Sequence, residues 1–261
     1  MTNIRRATSS EDNVLSHILC NAFLPIWNHN WFQGVSSPLS PVPIKPAQIS
    51  TTSLTSLQRA RVEFYLSLIK ATRLLGGEVL VNVISPSNSS VDSQDPEDVS
   101  YGAILLWLPP HKRMGITNLA TLYSSGFLRT MYKYGFTGIH RVDSIFEANI
   151  AKMFKAAKVV EADHNFVQML ASNPEYQGKR YASQLLRWKI ESLGEGSVVL
   201  DTTTAQGIRA YERMGFKLLG EIEVQTGCDE HGIKLRKGET STAKHIQRVM
   251  MLEKGAYIKS L

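Results

Sequence analysis

The chain is poor in cysteine. Its two thiols, Cys20 and Cys228, lie far apart, with no Cys-x-x-Cys spacing and no histidine cluster beside them. That excludes a disulfide framework and a thiolate zinc site, and it predicts a reducing compartment. Long apolar runs are missing as well. The opening MTNIRRATSSEDN has no apolar signal core, and no uninterrupted apolar stretch reaches the roughly 20 residues a bilayer demands. The expectations are a soluble cytoplasmic protein, no metal and no membrane. Acidic residues are outnumbered: 23 Asp and Glu face 29 Lys and Arg, a formal charge of +6. Such an excess suits nucleic acid, an anionic surface or a phosphorylated cofactor and does not choose among them. No basic pattern interleaved with stacking aromatics accompanies it, so nucleic acid is not the expected partner.

What is present fits one globular core: 261 residues, 43% hydrophobic and 20% charged. Ile4 to Ala7 reads as an opening strand, and Ser9 or Ser10 ahead of Glu11 and Asp12 signals a helix start. Val14, Leu15, Ile18, Leu19, Ala22 and Phe23 then recur at helical spacing. Residues 34 to 53 are dense in Pro and Ser and predict a long loop without regular structure. A helix is expected from Ser53 to Leu75, then strands over 78–84 and 101–108 joined by a polar, acidic and mobile tip at about 85–98. A mostly helical insertion follows at about 109–162. Strands near 164–171, 197–201, 216–224 and 246–252 alternate with helices near 182–193 and 205–214. Mixed elements of this kind make a layered α/β or α+β domain covering residues 1–261.

The stretch NPEYQGKRYASQLL, residues 173 to 186, sets a glycine-containing turn and two cations directly before a helix. A helix start offers amides without internal partners and partial positive charge, so an anionic ligand is the first expectation there. Within it, Gln177-Gly178-Lys179-Arg180-Tyr181-Ala182 resembles the phosphate-binding pattern of the GNAT superfamily of acyl-coenzyme A-dependent N-acyltransferases. Gln177 and Ala182 match its ends, and Arg180 replaces the usual middle glycine. About thirty residues on, LDTTTAQGIRAYERMGFKLLGE is similar to the family's following strand, helix and "YE..GF" segment. The two motifs keep the family's order and cover roughly residues 164 to 224. IRRAT and YGAILLWLPP also look like a subgroup similar to puromycin N-acetyltransferase.

The resemblance implies a mixed, mostly antiparallel central sheet flanked by helices. It also implies an acetyltransferase moving an acetyl or short acyl group from acyl-CoA to a small-molecule amine. Cofactor contacts would come from Leu170, Ala171 and Ser172 on a strand, from Gln177 to Ala182 at the turn, and from Thr204. Tyr211 matches the tyrosine that protonates the leaving thiolate, and a phenol keeps its proton at neutral pH. His164 at a strand entrance is the candidate base, with Glu161 and Asp163 as alternatives. Trp27, Trp31 and Phe32 of PIWNHNWFQ either line an acceptor pocket or pack the core. No Cys or Ser lies in a nucleophile motif, so direct attack in a ternary complex is expected. A different class also stays open, an acyl-CoA-binding regulatory module without transferase activity.

Overall fold

A computed structural model describes residues 2–84, 99–115, 118–194, 196–253 and 255. The acidic tip expected at 85–98 falls outside the described residues. Seven strands form one sheet: β1 (Thr2–Arg6), β2 (Glu78–Ile84), β3 (Ser100–Leu108), β4 (Asn165–Ser172), β5 (Val198–Thr202), β6 (Lys217–Val224) and β7 (His245–Leu252). Their order is β1-β2-β3-β4-β5-β7-β6, and only β4 and β5 run parallel. All seven strands foreseen from alternation are present within a few residues of their expected limits.

Alternation splits the core in two. Val79, Val81, Ile104, Leu106, Phe166 and Val199 face one way, toward α1 (Asp12–Ala22), α2 (Trp27–Gln33) and α4 (Ser56–Leu74). Leu80, Leu105, Trp107, Val167, Leu200 and Met250 face the other, toward α8 (Tyr181–Ser192) and α9 (Ala205–Glu212). A side-chain period of two in the strands makes both faces apolar, as a sheet covered on both sides requires. Between 109 and 162 lie α5 (Leu119–Ser124), α6 (Phe127–His140), a π-helical turn Arg141–Glu147, and α7 (Ala148–Ala156). No helix among the described residues is long and apolar enough to cross a membrane.

Two local expectations need correction. Residues 34–53 are not free of regular structure, because α3 spans Pro46–Thr51. Pro46 sits at its first turn, where no amide is needed for the ladder and the ring presets φ. Ahead of α1, the first cap is Thr8 rather than Ser9 or Ser10. Its amide donates to Glu11 Oε2 at 2.6 Å, and that carboxylate also accepts both Arg5 nitrogens (2.9 and 2.6 Å) and the Tyr101 hydroxyl (2.6 Å). Burial pushes the Glu11 carboxyl up, but these donors outweigh it and hold it at about 2. Within PIWNHNWFQ, Trp27–Gln33 forms α2, anchored by Asn30, which donates to the carbonyls of Leu24 and His231 at 2.9 Å each.

Candidate active site

The site begins where β4 and β5 part. They pair over three positions only, Asn165 with Val198, Phe166 with Val199 and Val167 with Leu200. Beyond Val167, β4 keeps its partner on the β3 side, but among the described residues no strand lies opposite Gln168 to Ser172 on the other. Gln168 is itself an extra residue, since β3 pairs Trp107 with Val167 and the adjacent Leu106 with Met169. A bulge of this kind bends the strand and increases its local twist. The result is a slot edged by unpaired main-chain groups, which an extended ligand chain could complete as a strand would.

The slot leads to the entrance of α8. After β4 the chain turns through Pro174–Tyr176, Gly178 at φ 83° and Arg180 at φ 63°. Among the described residues, the amides of Gly178, Arg180, Tyr181, Ala182 and Ser183 donate to no protein acceptor. Gly178 has open space where a side chain would point. Gln177 to Arg180 are exposed and Tyr181 to Ser183 half-buried. Five amides, two cationic side chains and a helix N-terminus thus converge on one rim. The helix is held there by a close approach, because a Cβ on Gly102 of β3 would lie 2.5 Å from the Tyr181 ring.

On the opposite face the parting strands expose an acidic group. Arg113 reaches from the loop after β3 across β4, its guanidinium 3.5 Å from the Phe166 ring centroid. It meets Glu161 at 2.6 Å and Glu147 at 3.0 Å, and donates to Gln168 Oε1 at 3.4 Å. Glu147 closes the π-helical turn, a helix widening that recurs at functional sites. Asp201 follows the last residue of β5 paired to β4 and so stands level with the bulge. Burial, then the negative charge of Glu147, push its carboxyl up to about 7, Arg113 opposing and Glu161 adding to the rise. No group of three or more His, Cys, Asp or Glu among the described residues is set to hold a metal ion.

Tyr211 comes to the same place from α9. Its ring packs on Phe216 at 5.6 Å and lies beside the first turn of α9, where Gly207 also touches Thr202, the neighbour of Asp201. Burial and the charge of Asp201 both push its phenol well above the ordinary value, so it is protonated across the neutral range.

Solved structures of the same architecture decide the fold. An acetyltransferase related to histone acetyltransferase HPA2, from Corynebacterium glutamicum, superposes over 97% of both chains at 16% identity with a TM-score of 0.52. Arylalkylamine N-acetyltransferase 2 from Aedes aegypti does so over 97% of this chain and 98% of its own, at 15% identity and 0.52. The fold is that of the GNAT acetyltransferases. A mosquito arylalkylamine N-acetyltransferase like 5b gives 14% identity and 0.50 over 97% and 99% of the two chains. No protein-family model and no curated protein sequence matches the chain.

Within the GNAT fold the residues singled out from sequence separate into those that meet and those that do not. Leu170 and Ser172 are half-buried on the slot's edge and Ala171 is buried beneath it. Gln177 to Ala182 form the α8 entrance. Thr204 caps α9, its hydroxyl accepting the Gly207 amide at 3.0 Å, and is engaged in holding that helix. His164 does not join them. It precedes β4, some four residues and roughly 13 Å before the bulge, with Nδ1 2.6 Å from Ser197 Oγ. Asp163 is also remote, exposed beside His111 at 3.7 Å. Glu161 does lie in the acidic group. Trp31 and Phe32 pack in the core, Phe32 against Phe146 at 5.0 Å. Trp27 is buried with them, but its indole nitrogen has no hydrogen-bond partner among the described residues.

Arg113, Glu147 and Asp201 were not singled out by sequence. For Asp201 a signal exists: in VVLDT a carboxylate occupies the face that Val199 sends into the core. Arg113 and Glu147 have none, lying 88 and 54 positions before Asp201 in the chain.

Proposed function

We propose that the chain is a GNAT-type N-acyltransferase that moves an acetyl or short acyl group from acyl-CoA to a small-molecule amine by direct attack. One observation carries this reading: Asp201 and Tyr211 lie on either side of the point where β4 and β5 part, at the end of a slot that leads to free amides. The unpaired edge of β4 suits an extended arm with amide groups. The α8 entrance suits a pyrophosphate, with Lys179 and Arg180 adding charge attraction. The co-substrate supplies a thioester carbonyl as the electrophile.

Chemistry at the parting then divides between two side chains. An amine arrives as an ammonium without a lone pair. Glu147, Glu161 and Asp201 against the lone Arg113 favour that cation, and Asp201, titrating near neutrality, takes one proton from it. As the carbon–nitrogen bond forms and the carbon–sulfur bond breaks, the Tyr211 phenol gives its proton to the departing sulfur. The second proton leaving nitrogen restores the phenol. Asp201 thus takes the role first assigned to His164. Cys20 and Cys228 are free and buried, which fits a cytoplasmic setting. The segments that look like puromycin N-acetyltransferase form β1 and β3, which frame the sheet and lend no group to the acceptor.

Thiol release from acetyl-CoA in the presence of hexylamine or aminohexanol tests the proposal. Tyr211→Phe should slow release about a hundredfold while coenzyme A affinity is kept. Tight coenzyme A binding with no amine-dependent thiol release would instead describe a regulatory module.

A further inference from the structure

Three buried polar atoms in the corner between α2 and β7 have no hydrogen-bond partner of good geometry among the described residues: Trp27 Nε1, His245 Nε2 and Gln247 Oε1. Their residues are 6%, 3% and 0% exposed. They belong together, because the Trp27 and His245 rings lie 4.6 Å apart and His245 and Gln247 are alternate residues of β7 on one face. Folded proteins rarely leave one such atom unpaired, and each costs the full desolvation of its group. Three gathered along one face of β7 mark a place where something else supplies the bonds.

The corner lies on the same face of the sheet as the acidic group. Asp201 pairs with Val249, which faces the same core layer, so Gln247 is about 7 Å and His245 about 14 Å further along that face. The Gln247 amide donates to the carbonyl of Phe146, the neighbour of Glu147, at 3.1 Å, which leaves its oxygen as the free end. Thr203 hydrogen-bonds Asn28 at 3.3 Å and ties α2 to the end of β5. Chemical roles follow from the atoms. Trp27 Nε1 donates and Gln247 Oε1 accepts. His245, with Nδ1 2.8 Å from Thr226 Oγ1, also meets the backbone of Asp229 and Glu230, which favours a ring N–H and makes it a donor. A carboxylate only accepts and an ammonium only donates, so neither matches the set. A hydroxyl or a carboxamide does both.

We propose that Trp27, His245 and Gln247 form the far end of the acceptor site, and that the acceptor is an amine carrying a neutral hydroxyl or carboxamide roughly 7–14 Å from its nitrogen. This rests on the transferase reading above. An amine without that group leaves the three atoms unpaired, and an amino acid of the same length brings a buried charge with no donor enough to hold it.

The test compares aminohexanol, hexylamine and aminohexanoate, equal in length and different at one end. Aminohexanol should exceed hexylamine in kcat/KM by about tenfold or more, and aminohexanoate should fall below both. Trp27→Phe, which keeps a ring and deletes the donor, should narrow the gap between the first two whatever it does to absolute rates. His245→Phe should narrow it likewise. Thermal stabilisation of the protein by each amine without acyl-CoA reads the same subsite with no turnover. A hydroxyl preference in binding without any thiol release keeps the subsite and removes the transferase. Thiol release with equal rates for aminohexanol and hexylamine, an unchanged gap in both variants, or no binding by any of the three overturns the subsite.

Discussion

Replacing Asp201 by Asn removes one charge and almost no volume, and its effect can be worked out over the whole pH range. Burial and Glu147 place the carboxyl at about 7. It is roughly one-tenth ionised at pH 6 and nine-tenths at pH 8, so a reaction that needs it as a base should gain about tenfold in kcat/KM between those values and then level off. An alkyl ammonium keeps its own proton throughout that window and adds no curvature. In Asp201→Asn only the scarce free amine can react, so the plateau should vanish and kcat/KM should climb about tenfold per pH unit into the alkaline range. At pH 7.5 the loss should be roughly a hundred- to ten-thousandfold, the span of general-base contributions. Glu147→Gln removes a like charge and should slide the acid limb to lower pH. Stability runs the other way. A carboxyl raised in the fold contributes most below its ordinary range and destabilises as pH rises through about 7, so the Asn variant should melt higher at pH 8. Initial rates of thiol release with aminohexanol, with calorimetry on the same samples, check both. A variant that keeps the plateau and loses less than about threefold in rate would falsify Asp201 as the base.

Two further substitutions address the frame of the site. Arg180→Gly relieves a left-handed backbone that costs a side-chain-bearing residue about 1–2 kcal/mol. It should raise the melting temperature while making coenzyme A binding weaker and less sensitive to salt, as titrations at two ionic strengths would show; unchanged melting and unchanged salt dependence would count against strain and charge alike. Glu11→Gln removes the anion shared by Arg5, Thr8 and Tyr101. Because Glu11 is held at about 2, its contribution is full above the ordinary carboxylate range and fades as pH falls toward 2. The variant should lose about 2 kcal/mol in urea unfolding at pH 7 and much less at pH 3, and an equal loss at both values would refute the ionic account.

How far sequence could reach depended on how local each feature is. The seven strands announce themselves by alternation or by unbroken apolar runs, and both the α8 entrance and the AYERMGF helix are contiguous motifs. Tyr211 was singled out as a candidate for that reason. α3 was hidden because Pro46 reads as a breaker unless it is known to start a turn. α2 was hidden because WNHNWFQ mixes aromatics with amides that look like loop residues until Asn30 is seen bonding Leu24 and His231. For the base, titration near neutrality was sought in the residue type. His164 has that chemistry in solution but lies away from the β4–β5 parting, whereas the Asp201 carboxyl is brought to about 7 by burial and by Glu147, 54 positions earlier in the chain. The unpaired atoms of Trp27, His245 and Gln247 are legible only in three dimensions.

The brevity of the β4–β5 ladder reaches beyond the reaction. With three paired positions at the middle of a seven-stranded sheet, the left-hand strands β1 to β4 and the right-hand trio β5, β7 and β6 are two plates joined by a short seam. A molecule lying in the gap would act as a splint across that seam. Its arrival should therefore slow hydrogen exchange in β5 and β7 as much as in the turn it touches, so the chain would stiffen along its whole length when loaded.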